Sequence, residues 1–180
     1  ESRVVPIVDV QVDFAAGGAY APADKAGLAG LTRSLLDMGA GELDEEKIAD
    51  RLADIGALLG GGADQDRSSI SLRSLSSPRE REAALELMRL VLQKPVFSAD
   101  VLAREKARTI AGIREADTRP ASIAAKRFAA ALYPAHPYGR VPTAESVERV
   151  GRDDLVAFYK AHYGARRATV SIIGDLSRAE

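Results

Sequence analysis

Apolar residues recur at two distinct periods along the chain. In PIVDVQVDF, Val8, Val10, Val12 and Phe14 alternate with Asp9, Gln11 and Asp13, which predicts a strand with one covered face. A turn-rich connection leads to AGLAGLTRSLLDMGAG, where Leu28, Leu31, Leu35 and Met38 fall three, four and three residues apart. That spacing predicts a helix from Gly27 to Met38, with Gly39 and Gly41 suited to its C-terminal end. A second helix is expected in LDEEKIADRLADIGALLGGG, with Asp44 as N-cap and acids in the first turn. Ile48, Leu52 and Ile55 form its buried stripe, and Gly60, Gly61 and Gly62 close the region. ADQDRSSISLRSL reads as a polar strand with Ile70 and Leu72 turned inward.

The strongest helix signal is SPREREAALELMRLVLQKP. Ser77 stands as N-cap, Pro78 at the first helical position and Glu80 where a capping box closes. Leu85, Met88 and Leu92 are expected on its buried side, and Pro95 stops it. A long helix capped by Ser98 follows, then one over PASIAAKRFAAALYP, the loop AHPYGRVPT, a short and a longer helix in AESVERVGRDDLVAFYKAHY, and a strand in RATVSIIGD. Strands and helices do not alternate strictly. The reading is therefore α+β, one domain over residues 1–180, with an antiparallel or mixed sheet covered by helices on one face. Three strands are too few for such a sheet, so others are expected from poorly patterned stretches or from outside the chain.

Composition narrows the chemistry. Of 180 residues 46% are hydrophobic, enough for a real core. Basic and acidic residues balance, 25 against 26, so nothing points to nucleic acid. The absence of cysteine excludes disulfides, thiolate metal sites and cysteine catalysis. No apolar run reaches the roughly 20 residues of a membrane span. The chain opens without methionine, almost directly in a strand pattern, as a processed or excerpted chain would. His136, between two prolines, reads as a loop histidine. His162, at a helix C-terminus where a positive ring is mildly favoured, reads as structural. The run Gly60–Gly62 is no phosphate loop, because no Lys-Ser or Lys-Thr follows and the next charges are Asp64 and Asp66. From these residues alone the chain is an α+β domain with no visible active site.

The ordered set VDVQVDFAAGGAYAPADKAGLAGLTRSLLDMGAG, IADRLADIGALLGGGADQDRSSISL, VLAREKARTIAGIREADTRPASIAAKRFAAALYPAHPYGR and DDLVAFYKAHYGARRATVSIIGDL resembles the N-terminal half of an insulinase/pitrilysin-type metallopeptidase subunit, close to the processing peptidases. Active members carry His-x-x-Glu-His on the helix that is here Gly27 to Met38. The resemblance puts Gly30 at the first histidine, Arg33 at the glutamate and Ser34 at the second histidine; the third ligand, a glutamate, falls on Ala111 or Gly112. Glycine has no donor and a guanidinium accepts no proton, so the resemblance implies a non-catalytic member without its own zinc.

The same resemblance implies a half-clamshell fold, a second homologous domain beyond this chain, and a partner subunit that carries zinc. That partner and this chain would enclose an unstructured peptide substrate. The peptide would pair with the segment containing Gly61, Gly62, Ala63, Asp64 and Gln65. Rival expectations are a structural core subunit of a respiratory-type complex and a peptide-binding or assembly module. A bacterial periplasm or cytoplasm suits the resemblance better than a mitochondrion. Replacing Arg33 by alanine is expected to cost much less stability than replacing Leu35.

Overall fold

The computed structural model describes residues 4–177. Strand β1 (Ile7–Phe14) lies inside a four-stranded antiparallel sheet in the order β4-β5-β1-β6, with β4 (Leu58–Ala63), β5 (Ser68–Leu75) and β6 (Ala168–Gly174). The alternation of β1 has its expected consequence. Val8, Val10, Val12 and Phe14 are buried under the helices, beside Ile70 and Leu72 of β5. Asp9, Gln11 and Asp13 line the open face, where Asp9 pairs with Arg73 at 2.7 Å. Helices on one face of an antiparallel sheet are the α+β arrangement expected from the sequence.

Helix α1 (Leu28–Leu35) is shorter than the predicted Gly27-to-Met38 span, yet buries Leu28, Leu31 and Leu35 as the spacing required. Met38 lies past its end. Gly39 and Gly41 do not simply cap it: β2 (Gly39–Ala40) pairs with β3 (Leu43–Asp44) in a small second sheet. Asp44 caps α2 (Glu45–Asp54) by accepting from the Lys47 N–H at 2.9 Å. The glycine run is not a helix terminus or a loop. It is most of β4, an edge strand of the main sheet.

Helix α3 (Pro78–Gln93) departs from its sequence reading in two ways. Ser77 makes no cap bond to the backbone, its hydroxyl donating instead to the Glu80 carboxylate. The buried face is Ala84, Leu87, Met88 and Val91, while Leu85 is 40% exposed. The sheet determines this choice, since α3 packs on β5 and turns Leu85 outward. Helix α4 (Ala99–Ala116) starts after Ser98, whose side chain likewise makes no cap bond. Helices α5 (Pro120–Leu132), α6 (Ala144–Glu148) and α7 (Arg152–His162) complete the layer. Among the described residues no helix is long and apolar enough to cross a membrane.

Candidate functional site

The stripe that anchors α1 in the core fixes what its other side presents. Gly30, Arg33, Ser34 and Asp37 face the edge strand β4 across a hollow of about 590 Å³. Arg33 does not extend into solvent. It is 5% exposed, with Nε donating to the Ser69 carbonyl at 2.6 Å, Nη2 donating to the Gly60 carbonyl, and Nη1 reaching the Asp37 carboxylate at 3.5 Å. One side chain thus bridges α1, β4 and β5. This geometry narrows the expected gap between Arg33 and Leu35, because removing Arg33 takes away hydrogen bonds to carbonyls on two strands.

Gly61 is required for this seat. Its φ is +128°, and a Cβ there would stand 2.1 Å from the Ser69 carbonyl oxygen. Gly62 N–H donates to the Ser69 hydroxyl at 3.2 Å. From the other side Tyr163 donates to the Ser68 hydroxyl at 2.7 Å, and burial pushes its phenol up to about 12. The start of β5 is therefore held from α1 and from the residue after α7.

The donor set does not suit zinc. Gly30 has no side chain, and a Cβ there would meet nothing within 4 Å. Ser34 turns its hydroxyl back to the Gly30 carbonyl at 3.0 Å. Ala111 and Gly112 are exposed and do not line the hollow. The nearest acid on α4 is Glu105, 6% exposed and already flanked by Arg104 at 3.3 Å and Arg108 at 3.8 Å. Among the described residues no group of three or more His, Cys, Asp and Glu side chains is placed to hold a metal ion. Zinc ligation needs unprotonated donors converging on one point, and here the central group is a permanent cation.

The five residues expected to meet a peptide divide into two sets. Gly61, Gly62 and Ala63 belong to β4, whose outer side has no neighbouring strand among the described residues. Asp64 and Gln65 lie in the hairpin turn, and their carbonyls accept from the N–H groups of Gly18 and Ala19, both at 2.8 Å. The Asp64 carboxylate accepts from the N–H groups of Arg67 and Asp66, which hold it below the usual carboxylate range. Tyr138 reaches across to Asp66 at 2.5 Å, so the HPYGR loop buttresses this turn.

The histidines stay apart from the hollow. His136 is exposed, its Nδ1 accepting from the Tyr138 N–H at 3.3 Å. His162 packs between Phe158 and Tyr20, with centroids 4.5 and 5.2 Å away. Burial lowers its pKa, as does the nearby Arg167. The sequence reading of a favoured positive ring is corrected: burial disfavours the charge more than the backbone hydrogen bond with Ala15 favours it. Sequence reasoning also missed the buried role of Arg33. The available signal was a cation on the edge of an apolar stripe, followed by a strand of bare glycines.

The family described as insulinase, peptidase family M16, matches residues 1–143. Among solved structures, the peptidase M16 inactive domain from Pseudomonas fluorescens is 36% identical with a TM-score of 0.95, over 99% of this chain and 43% of that one. A protease from Helicobacter pylori superposes at 0.88 with 18% identity, over 98% and 43% of the two chains. Pitrilysin gives 0.82 with 17% identity, over 99% and 20%. The last two likenesses speak to fold alone. The chain spans less than half the length of each of these structures. No curated protein matches the sequence.

Proposed function

The chain belongs to the insulinase family of peptidases, family M16, and on that footing we propose that it is a non-catalytic half-clamshell domain that holds extended peptide for a zinc-bearing homologous subunit. The observation that carries the reading is Arg33. The residue standing where active members keep a general base is a buried guanidinium bound to the Gly60 and Ser69 carbonyls. It can accept no proton and repels a divalent cation, so bond cleavage belongs elsewhere.

What the chain retains is an edge. An extended peptide pairs with a free strand through backbone N–H and C=O groups and needs no catalytic residue. The outer side of β4 offers such groups next to the hollow, and Arg33 fixes that strand against α1. Peptide held there would present its next residues toward the opposite wall, supplied by the partner subunit.

The test uses the full-length protein mixed with a zinc-containing family homologue from the same genome. The mixture is expected to hydrolyse unstructured peptide faster than the homologue alone. Gly62→Trp, which places bulk into open space on β4, is expected to remove the gain. Unchanged turnover in the mixture would contradict the proposal.

A further inference from the structure

A second hollow, of about 610 Å³, adjoins the first. It lies between the β2–β3 pair and the starts of α2 and α4, and Met38 lines both hollows. Its apolar surface comes from Met38, Leu43, Val96 and Val101, of which Val96 is 38% exposed. A recess that joins apolar side chains to a polar rim is the usual form of a place for another molecule.

The rim specifies the charge of the occupant. Asp44 is engaged by Lys47 at 3.0 Å and Glu45 by Arg104 at 2.5 Å. Glu42 and Glu46 are exposed and have no partner among the described residues. The hollow therefore combines an apolar floor with two uncompensated carboxylates, and its one lining guanidinium is already paired.

We propose that this hollow receives an apolar side chain of the bound peptide together with an adjacent lysine or arginine, and so gives the chain a preference for peptides carrying an apolar-basic pair. The inference rests on the edge reading above. Met38 lines both hollows and makes them continuous, so a peptide along β4 can extend from the first, past Gly30 and Ser34, into the second. The floor takes the apolar residue, and Glu42 and Glu46 face its basic neighbour. Two open carboxylates at the rim select by charge more than they add to affinity for a neutral chain.

The test uses fluorescence anisotropy with the full-length protein and labelled peptides of equal length. Each has a Val/Thr-rich extended core and ends in Leu-Arg, Leu-Glu or Ser-Arg. The Leu-Arg peptide is expected to bind about tenfold more tightly than either other, a ratio that shrinks with salt. Glu42→Gln with Glu46→Gln should bring Leu-Arg down to the level of Leu-Glu. Leu43→Ser should bring it down to Ser-Arg, with circular dichroism confirming that each variant is folded. Gly62→Trp should weaken all three peptides alike and leave their ratios unchanged.

Failure is separable. Equal binding of the three peptides, with Gly62→Trp still weakening all of them, overturns the hollow and leaves the edge. Selective binding that Gly62→Trp does not touch overturns the edge reading and the path through Met38. Hollow variants that change the sedimentation of the protein while sparing peptide selectivity identify a protein contact and overturn the proposal. Binding of none of the peptides overturns both readings.

Discussion

Arg33 and Gly61 depend on each other: a Cβ on Gly61 would stand 2.9 Å from Arg33 Nη2 and 2.1 Å from the Ser69 carbonyl that Arg33 also binds. The bare backbone at Gly61 is the space the guanidinium needs, and the guanidinium donates to a carbonyl on each of the two strands. One side chain of α1 thus fastens the helix to the sheet edge.

Arg33→Ala should therefore lower stability by about 1–3 kcal/mol, the range for losing buried hydrogen bonds from a charged donor. Arg33→Lys should recover only part of this, because a single ammonium cannot reproduce the guanidinium fork. Urea melting gives the stability, and hydrogen exchange should show the loss concentrated in β4 and the start of β5. A variant as stable as the parent, with unchanged exchange at Gly60–Ala63, would remove the fastening role.

Leu35→Ala should cost about 2–5 kcal/mol. Leu35 is 1% exposed and sits between α1 and the sheet, so its loss leaves a cavity that rigid neighbours cannot fill. The whole chain should show earlier thermal unfolding, in contrast to the local loosening expected of Arg33→Lys. A shift smaller than that of Arg33→Ala would count against the assigned helix faces.

Much of the fold was legible because side-chain periodicity reports which face is covered. β1, the inward Ile70 and Leu72, and the Leu28–Leu31–Leu35 stripe all announce themselves this way. The edge strand β4 was not legible as a strand from its own residues, since Leu-Leu-Gly-Gly-Gly-Ala has no side-chain alternation to read. Its conformation is imposed by pairing with β5. The β2–β3 pair, two residues on each side, is too short for any period. On α3 two overlapping stripes were available, and only packing on β5 chooses Leu87 over Leu85. The positions Gly30, Arg33 and Ser34 were singled out by the family resemblance and not by any pattern of their own. The role of Arg33 was hidden because strand carbonyls brought beside a helix by the fold leave no mark on the sequence.

Lys25 and Asp154 meet at 2.5 Å and tie the turn before α1 to α7. The hydrogen bond from Lys25, with that from the Gly151 N–H, holds the Asp154 carboxyl below its ordinary 3.8. A lowered folded-state pKa gives stability that is complete above the ordinary value and lost as pH falls through the folded one. Asp154→Asn should thus cost up to about 1 kcal/mol near neutral pH, a partly exposed pair being screened. The difference from the parent should vanish in acid well below pH 3.8. Chemical melts across that range check it, and a constant difference at every pH would contradict it.

His162 gives an acid sensitivity of the same sign in a higher pH range. Burial lowers its pKa from the ordinary 6.5, so the unfolded chain takes up a proton before the folded one. Its neutral form costs nothing above pH 6.5, and stability should decline as pH drops through that value. His162→Phe, which keeps the contact with Tyr20 and Phe158, should flatten the profile between neutral and mildly acidic pH. Parallel profiles for parent and variant would assign the acid sensitivity to other groups.

The central claim, that Arg33 occupies the place of the catalytic metal machinery, is tested most directly by diffraction. Crystals grown with excess zinc would be measured at the zinc absorption edge, and the anomalous map inspected between Gly30, Ser34 and Gly112. The account predicts no peak there and continuous density for the Arg33 guanidinium against the Gly60 and Ser69 carbonyls. A zinc peak beside α1, with Arg33 swung away from β4, would contradict it.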